Sequence, residues 1–253
     1  MREALTIIWR LAAVTELILV ARLLLQGLAG VYPALVTCSC VFAFQALLLH
    51  VSLSQRHSMI QQVWKVTEPL SWVLCSWMVL ELFSKWTRSY PGIGRFGRLL
   101  FGALISIALV FSLIWWPFEW KALVFDHDFR IYYILNRVFL ATQALFVLSV
   151  WLFFRNYPAP VAPNVFRHTH ITMTYFAMNA LSWLVFTLNG LKVATLMNFS
   201  IVVVTIGCFS AWAILLTRKG EERETMPLVS PEDAARIERV NQELLGLMKN
   251  FPG

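Results

Sequence analysis

The stretch Val63-WKVTEPLSWVLCSWMVLEL-Phe83, followed by Ser84-KWTRSYPGIGRFG-Arg98, decides the fold. The first part is long and apolar enough to cross about 30 Å of hydrocarbon as a helix rising about 1.5 Å per residue. The second part reads as a loop. Pro91-Gly92 and Gly94 break it, and Lys85, Arg88, Arg95 and Arg98 mark the end that stays in the cytoplasm.

Composition extends that reading to the whole chain. Of 253 residues, 58% are hydrophobic and 14% charged, with a mean hydropathy of +0.66. A soluble domain is about one quarter charged. The apolar residues fall in seven runs, near residues 5–28, 31–53, 63–83, 99–116, 131–154, 171–188 and 193–216. They lack the two-residue alternation of a membrane barrel, so helices must satisfy the backbone. The expectation is an all-α integral membrane protein: a seven-transmembrane-helix bundle over residues 1–217 with short loops. A cytoplasmic tail, 218–253, follows it.

Lys and Arg set the expected orientation. Arg155, Arg167, Arg218 and Lys219 share a side with the basic loop. The opposite side holds Arg56, Lys121, Arg130 and Lys192, diluted by Glu119, Asp126 and Asp128. This places the N-terminus outside and the C-terminus in the cytoplasm of a plasma (cytoplasmic) membrane. The net charge of +7 is loop charge rather than a soluble basic face, so nucleic acid is not an expected partner. The first run carries Arg10, Glu16 and Arg22 and reads as a retained helix, not a cleaved leader.

Cys38, Cys40, Cys75 and Cys208 lie within the apolar runs and read as small apolar residues. Cys38 and Cys40 point to different sides of their helix. Trp9, Trp64, Trp86, Trp115, Trp116, Trp120 and Trp151 fall near run ends, as interfacial rings do. Trp72, Trp77, Trp183 and Trp212 lie deeper, where packing is the commoner role.

Ionisable and amide groups inside a span are costly and mark candidate sites. Glu16, Gln45, Gln143 and Asn179 fall near mid-depth; Arg10, Glu68, Asn136, Arg137 and Asn198 fall in the outer third. They suggest a polar cavity opening outward, lined by helices one, three, five and seven, with Arg10–Glu68 or Arg137–Glu16 pairs. Pro69 frees the carbonyl of Lys65 and favours a kink. Glu81 and Lys85, one turn apart, need no functional role.

Specific chemistries fail on the residues. A retinal protein needs a lysine within its last helix, and Lys192 lies only at the mouth. Haem needs histidines at matching depth, whereas His50 and His57 lie outward and His168 and His170 inward. His168-x-His170 lacks further metal ligands nearby in sequence. No Asp lies in a span, and no HExxH or GxSxG occurs. Gly92-Ile-Gly94 with Gly97 reads as a turn, not a phosphate loop. The expectation is no catalytic residue, no metal and no cofactor.

In the tail, Ser230-Pro-Glu-Asp233 is a helix-start signal. Ile237, Val240, Leu244 and Leu247 then form an apolar stripe on a helix over about 231–249. That stripe suits a protein partner, self-association, or docking on the membrane or on the chain's own loops.

A weak repeat relates Arg10-LAAVT-Glu16 to Arg137-VFLAT-Gln143. Helices one and five run the same way, as a parallel 3+1+3 duplication requires. Two function classes follow. One is a non-enzymatic receptor-like or interaction protein, or an accessory subunit of a larger membrane complex. The other is a small 3+1+3 transporter using Glu16 and Gln143 near the midplane.

Overall fold

The computed structural model describes residues 2–53, 57–119, 127–156, 161–189, 193–222 and 231–249, and these are almost wholly helical. Seven long helices follow in order: α1 Arg2–Leu25, α2 Pro33–Leu53, α3 His57–Trp86, α4 Pro91–Glu119, α5 His127–Asn156, α6 Pro163–Asn189 and α7 Ala194–Leu215. The short α8, Arg218–Glu222, and the tail helix α9, Pro231–Lys249, complete them. Arg56, Lys121, Asp126 and Lys192 lie outside the described residues, as do the side chains of His50, His57, Trp115, Trp116, Asp128 and Arg130.

Among the described residues, three helical stretches are long and apolar enough to cross a membrane: Gln62–Trp86, Ile134–Arg155 and Ala194–Leu215. Pro33–Leu48 is a shorter apolar stretch. α1 and α6 are not among these stretches. They carry Arg10, Glu16 and Arg22, and Asn164, Arg167, His168 and Asn179, along their lengths. Large apolar side chains face outward on many helices. Leu11 and Ile18 of α1, Val66 and Val73 of α3, Ile107 of α4 and Ile214 of α7 are all exposed. Apolar outside and polar inside is the pattern of membrane association.

Helix boundaries follow local chemistry. α1 ends in a left-handed glycine, Gly27 at φ 70°. The Leu28 N–H donates to the Leu23 carbonyl at 2.9 Å and the Gly27 N–H to Leu24 at 3.1 Å. That pair of bonds, with buried Leu23 and Leu28 beside it, is a Schellman stop. Prolines open α2, α4, α6 and α9, where a missing N–H costs nothing. The Ala34 N–H of α2 donates to the Glu81 carboxylate of α3 at 2.8 Å, a cap supplied from a distant residue.

Of the segment read as a loop, only residues 87–90 lie outside a helix. α4 begins at Pro91 and runs through Gly92, Gly94 and Gly97. These glycines serve close packing. A Cβ at Gly92 would strike the Asn241 carbonyl of α9, one at Gly94 the Thr87 hydroxyl, and one at Gly97 the Phe83 ring. Likewise α6 starts at Pro163, ahead of the expected boundary.

Helices α1, α2, α3, α5, α6 and α7 close a ring, each touching the next and α7 returning to α1. α4 sits outside the ring, against α3, α5 and α9.

Candidate functional site: a polar cavity within the helix ring

A cavity of about 140 Å³ lies inside the ring. Every polar candidate from the sequence lines it except Arg10 and Arg137. Glu16 comes from α1, Gln45 from α2, Glu68 from α3, Asn136 and Gln143 from α5, Asn179 from α6 and Asn198 from α7. All six ring helices therefore contribute, not only the four expected; no described residue of α4 lines the cavity. Arg10 is exposed and Arg137 half-buried. Neither is among the residues lining the cavity with Glu68 and Glu16, and the Glu16 Oε2, deeply buried, has no hydrogen-bond partner among the described residues.

Several of the cavity's donors are spent on the protein. Gln45 Nε2 donates to Thr67 Oγ1 at 2.9 Å, and Gln143 Nε2 to Ser76 Oγ at 3.0 Å. Asn179 Nδ2 donates to the Tyr175 carbonyl at 2.7 Å, and Trp72 Nε1 to Asn136 Oδ1 at 3.3 Å. Acceptors are left over: besides Glu16 Oε2, the Gln143 Oε1 is buried without a partner among the described residues. Near Pro69, which lies inside α3, Thr67 and Ser71 turn their hydroxyls back to the carbonyls of Val63 and Thr67 at 2.8 and 2.9 Å.

The walls are aromatic. Trp9, Trp64, Trp72, Trp183, Phe42, Phe139 and Tyr175 face the space, and Trp72 stacks on Phe139 at 5.1 Å. Interfacial anchoring and general packing, the roles read from sequence, miss this. A usable signal is present: Ala12 stands one turn before Glu16, and Ala46 follows Gln45. Small residues beside polar ones make room, and both line the cavity. Trp77 faces outward, and Trp212 belongs to the core at the other end.

Lining positions recur between the two halves of the ring. Trp9, Ala12 and Glu16 of α1 correspond at one constant offset to Asn136, Phe139 and Gln143 of α5. At another, Phe42 and Ala46 correspond to Tyr175 and Asn179. At a third, Glu68, Ser71, Trp72 and Cys75 correspond to Asn198, Ile201, Val202 and Thr205. Helical periodicity alone repeats such spacings. Here α1–α2–α3 and α5–α6–α7 also occupy equivalent places in the ring.

The opposite end of the ring, where α8 attaches, is knitted shut. The Tyr32 hydroxyl donates to Glu221 Oε2 at 2.7 Å, and Asn164 Nδ2 donates to the same oxygen at 3.3 Å. Asn164 Nδ2 also reaches the Thr217 carbonyl at 2.7 Å. Lys85 Nζ lies 4.4 Å from the centre of the Tyr32 ring, so this lysine joins the α8 contact rather than only pairing with Glu81. His168 is fully buried, with its ring edge-on to Tyr32 at 5.4 Å and to Trp212 at 5.6 Å. His170 is exposed and bonds the Phe166 carbonyl at 2.8 Å. The two histidines therefore differ, His168 belonging to the core and His170 to the surface. The neighbours of His168 are rings and Thr172, whose hydroxyl meets Nδ1 at 3.2 Å.

The apolar stripe of α9 is split. Ile237 is buried and Leu244 half-buried, whereas Val240 and Leu247 are exposed. α9 packs on α4, and the Gly92 N–H donates to the buried Asn241 Oδ1 at 2.8 Å. Burial, then the Glu238 carboxylate, hold the Tyr90 hydroxyl above its usual range.

The chain matches no protein-family model, no curated protein and no solved structure.

Proposed function

We propose that the chain is a non-enzymatic multi-pass membrane protein that binds a small molecule inside its helix ring, in the manner of a receptor. The carrying observation is that polar residues from all six ring helices converge on one cavity beneath an apolar exterior, with Glu16, Glu68, Asn136, Gln143 and Asn179 buried, Gln45 half-buried and Asn198 exposed. Polar groups within a membrane segment are expensive unless they serve a purpose, and a convergent set around open volume is the usual form of a ligand site. In this reading seven helices span a plasma (cytoplasmic) membrane with the N-terminus outside. The cavity then lies toward the outer face, and α8 and α9 toward the cytoplasm. The exposed Val240 and Leu247 of α9 offer a cytoplasmic protein partner a small apolar edge.

Two measurements test this. Labelling of single cysteines placed in the loops reads topology; both chain ends on one face would end the seven-span reading. Thermal-shift screening of small molecules in lipid nanodiscs, parent against Ala46→Trp, reads the cavity. Compounds that stabilise the parent lose their effect when the tryptophan fills the space. Equal shifts in both proteins would overturn the cavity as the site.

The equivalence of α1–α2–α3 with α5–α6–α7 favours a second reading, a 3+1+3 transporter with Glu16 and Gln143 at equivalent positions. Glu16→Gln then slows flux into liposomes; unchanged flux would remove Glu16 from the mechanism.

A further inference from the structure

We infer that the cavity takes a small organic cation, an ammonium compound of about six non-hydrogen atoms. The inference rests on the ligand-binding reading above and names the class of ligand.

Size comes first. An internal space of about 140 Å³ is close to the cavity of about 150 Å³ that accepts benzene in another protein. Polarity comes second. Two buried carboxyls, Glu16 and Glu68, face the space, and among its described lining residues there is no Lys, Arg or His. A cation favours the ionised form of these carboxyls, whereas an anion repels it, and the described lining brings no positive charge of its own. Hydrogen bonding comes third. The donors of Gln45, Gln143, Asn179 and Trp72 are turned to protein acceptors. The atoms left without partners, Glu16 Oε2 and Gln143 Oε1, accept. The site therefore asks for a donor or a positive charge. The walls come fourth. Indole and phenyl faces attract a desolvated ammonium head and hold its alkyl groups, whereas a bare metal ion prefers a close shell of oxygens.

The test uses the full chain in nanodiscs and follows its tryptophan fluorescence. Three probes of similar size are titrated: tetramethylammonium, tert-butanol and pivalate. The expected result is a saturable change with tetramethylammonium alone. Glu16→Gln weakens it by about tenfold or more, and Glu81→Gln, outside the cavity, leaves it unchanged. If Glu16→Gln does not fold, Glu68→Gln makes the same comparison. Saturation by tert-butanol or pivalate as readily as by tetramethylammonium overturns the cation assignment and leaves the ligand-binding reading standing. No saturable response to any probe, in protein shown to be folded, overturns both.

Discussion

The two ends of the helix ring solve the same problem in opposite ways. Both bury polar atoms, and both leave some unpartnered: Glu16 Oε2 and Gln143 Oε1 at the cavity end, His168 Nε2, Trp212 Nε1 and Glu81 Oε1 at the end carrying α8. Orphaned polar atoms alone therefore do not distinguish a site from a core. Volume does. Around His168 and Trp212 the space is filled by Tyr32, Tyr175 and Phe209, and Trp86 nearby lies between Phe154 and Phe166 at 4.8 and 4.7 Å. Around Glu16 the rings stand back as walls. One end is built for rigidity, and the other spends packing on open space.

The comparison breaks most visibly at Trp86, which is 1% exposed and donates Nε1 to Thr169 Oγ1 at 2.8 Å. Trp86→Ala removes ring packing and one hydrogen bond to the Thr169 hydroxyl, which still donates to the Val165 carbonyl, a loss of about 3–5 kcal/mol for this class of change. Trp183→Ala, which enlarges a cavity already present, costs less than half as much. Equilibrium unfolding of both variants in mixed micelles decides; equal losses would erase the distinction between a packed end and an open one.

A smaller effect is expected where α9 meets α4. Gly92→Val places its side chain against the Asn241 backbone carbonyl, which cannot give way as a side chain can, and against the Asn241 and Leu245 side chains. It also disturbs the buried bond from Gly92 to Asn241. The tail helix should detach while the ring stays folded. Limited proteolysis reads this as faster cleavage between α8 and α9 with an unchanged melting point for the ring. A collapse of the whole fold would instead make α9 part of the core. Tyr32→Phe, which deletes only the hydroxyl bonded to Glu221, costs about 1–2 kcal/mol, read as faster amide exchange in α8. Exchange unchanged in α8 would mean that Asn164 alone holds Glu221.

Much of this was legible in the chain. Long apolar runs set the helices, and polar residues that interrupt an apolar run, such as Glu16, Gln143 and Asn179, marked the cavity, because lipid tolerates them only when they face inward. What a single run cannot show is which of its neighbours it meets. Closure of α7 onto α1, and exclusion of α4 from the ring, are tertiary facts. The Arg10 and Arg137 side chains looked like partners for the carboxyls because charge suggests pairing, but depth along a helix does not fix the face. The Pro91–Arg98 segment looked like a loop because glycine weakens helices in isolation. Here Pro91 sits at the helix start, and the missing Cβ atoms let α9, Thr87 and Phe83 approach. The aromatic walls were invisible because a tryptophan that packs and one that encloses space have the same local sequence.

The smallest expected effect has the opposite sign. Glu16 is 4% exposed, and its Oε2 lacks a hydrogen-bond partner among the described residues. A buried carboxyl with an unsatisfied oxygen is a net cost to the fold unless something binds it. Glu16→Gln keeps the shape, removes any charge and adds donors to the cavity. The empty protein should therefore gain stability, on the order of 1 kcal/mol, while losing affinity for an ammonium ligand. The matched change at the packed end, Glu81→Gln, should lose stability, because Glu81 caps α2 through the Ala34 N–H. Melting points of the two variants side by side carry the test. If Glu16→Gln destabilises as much as Glu81→Gln, then Glu16 holds the ring together, and the cavity end is a core like the other.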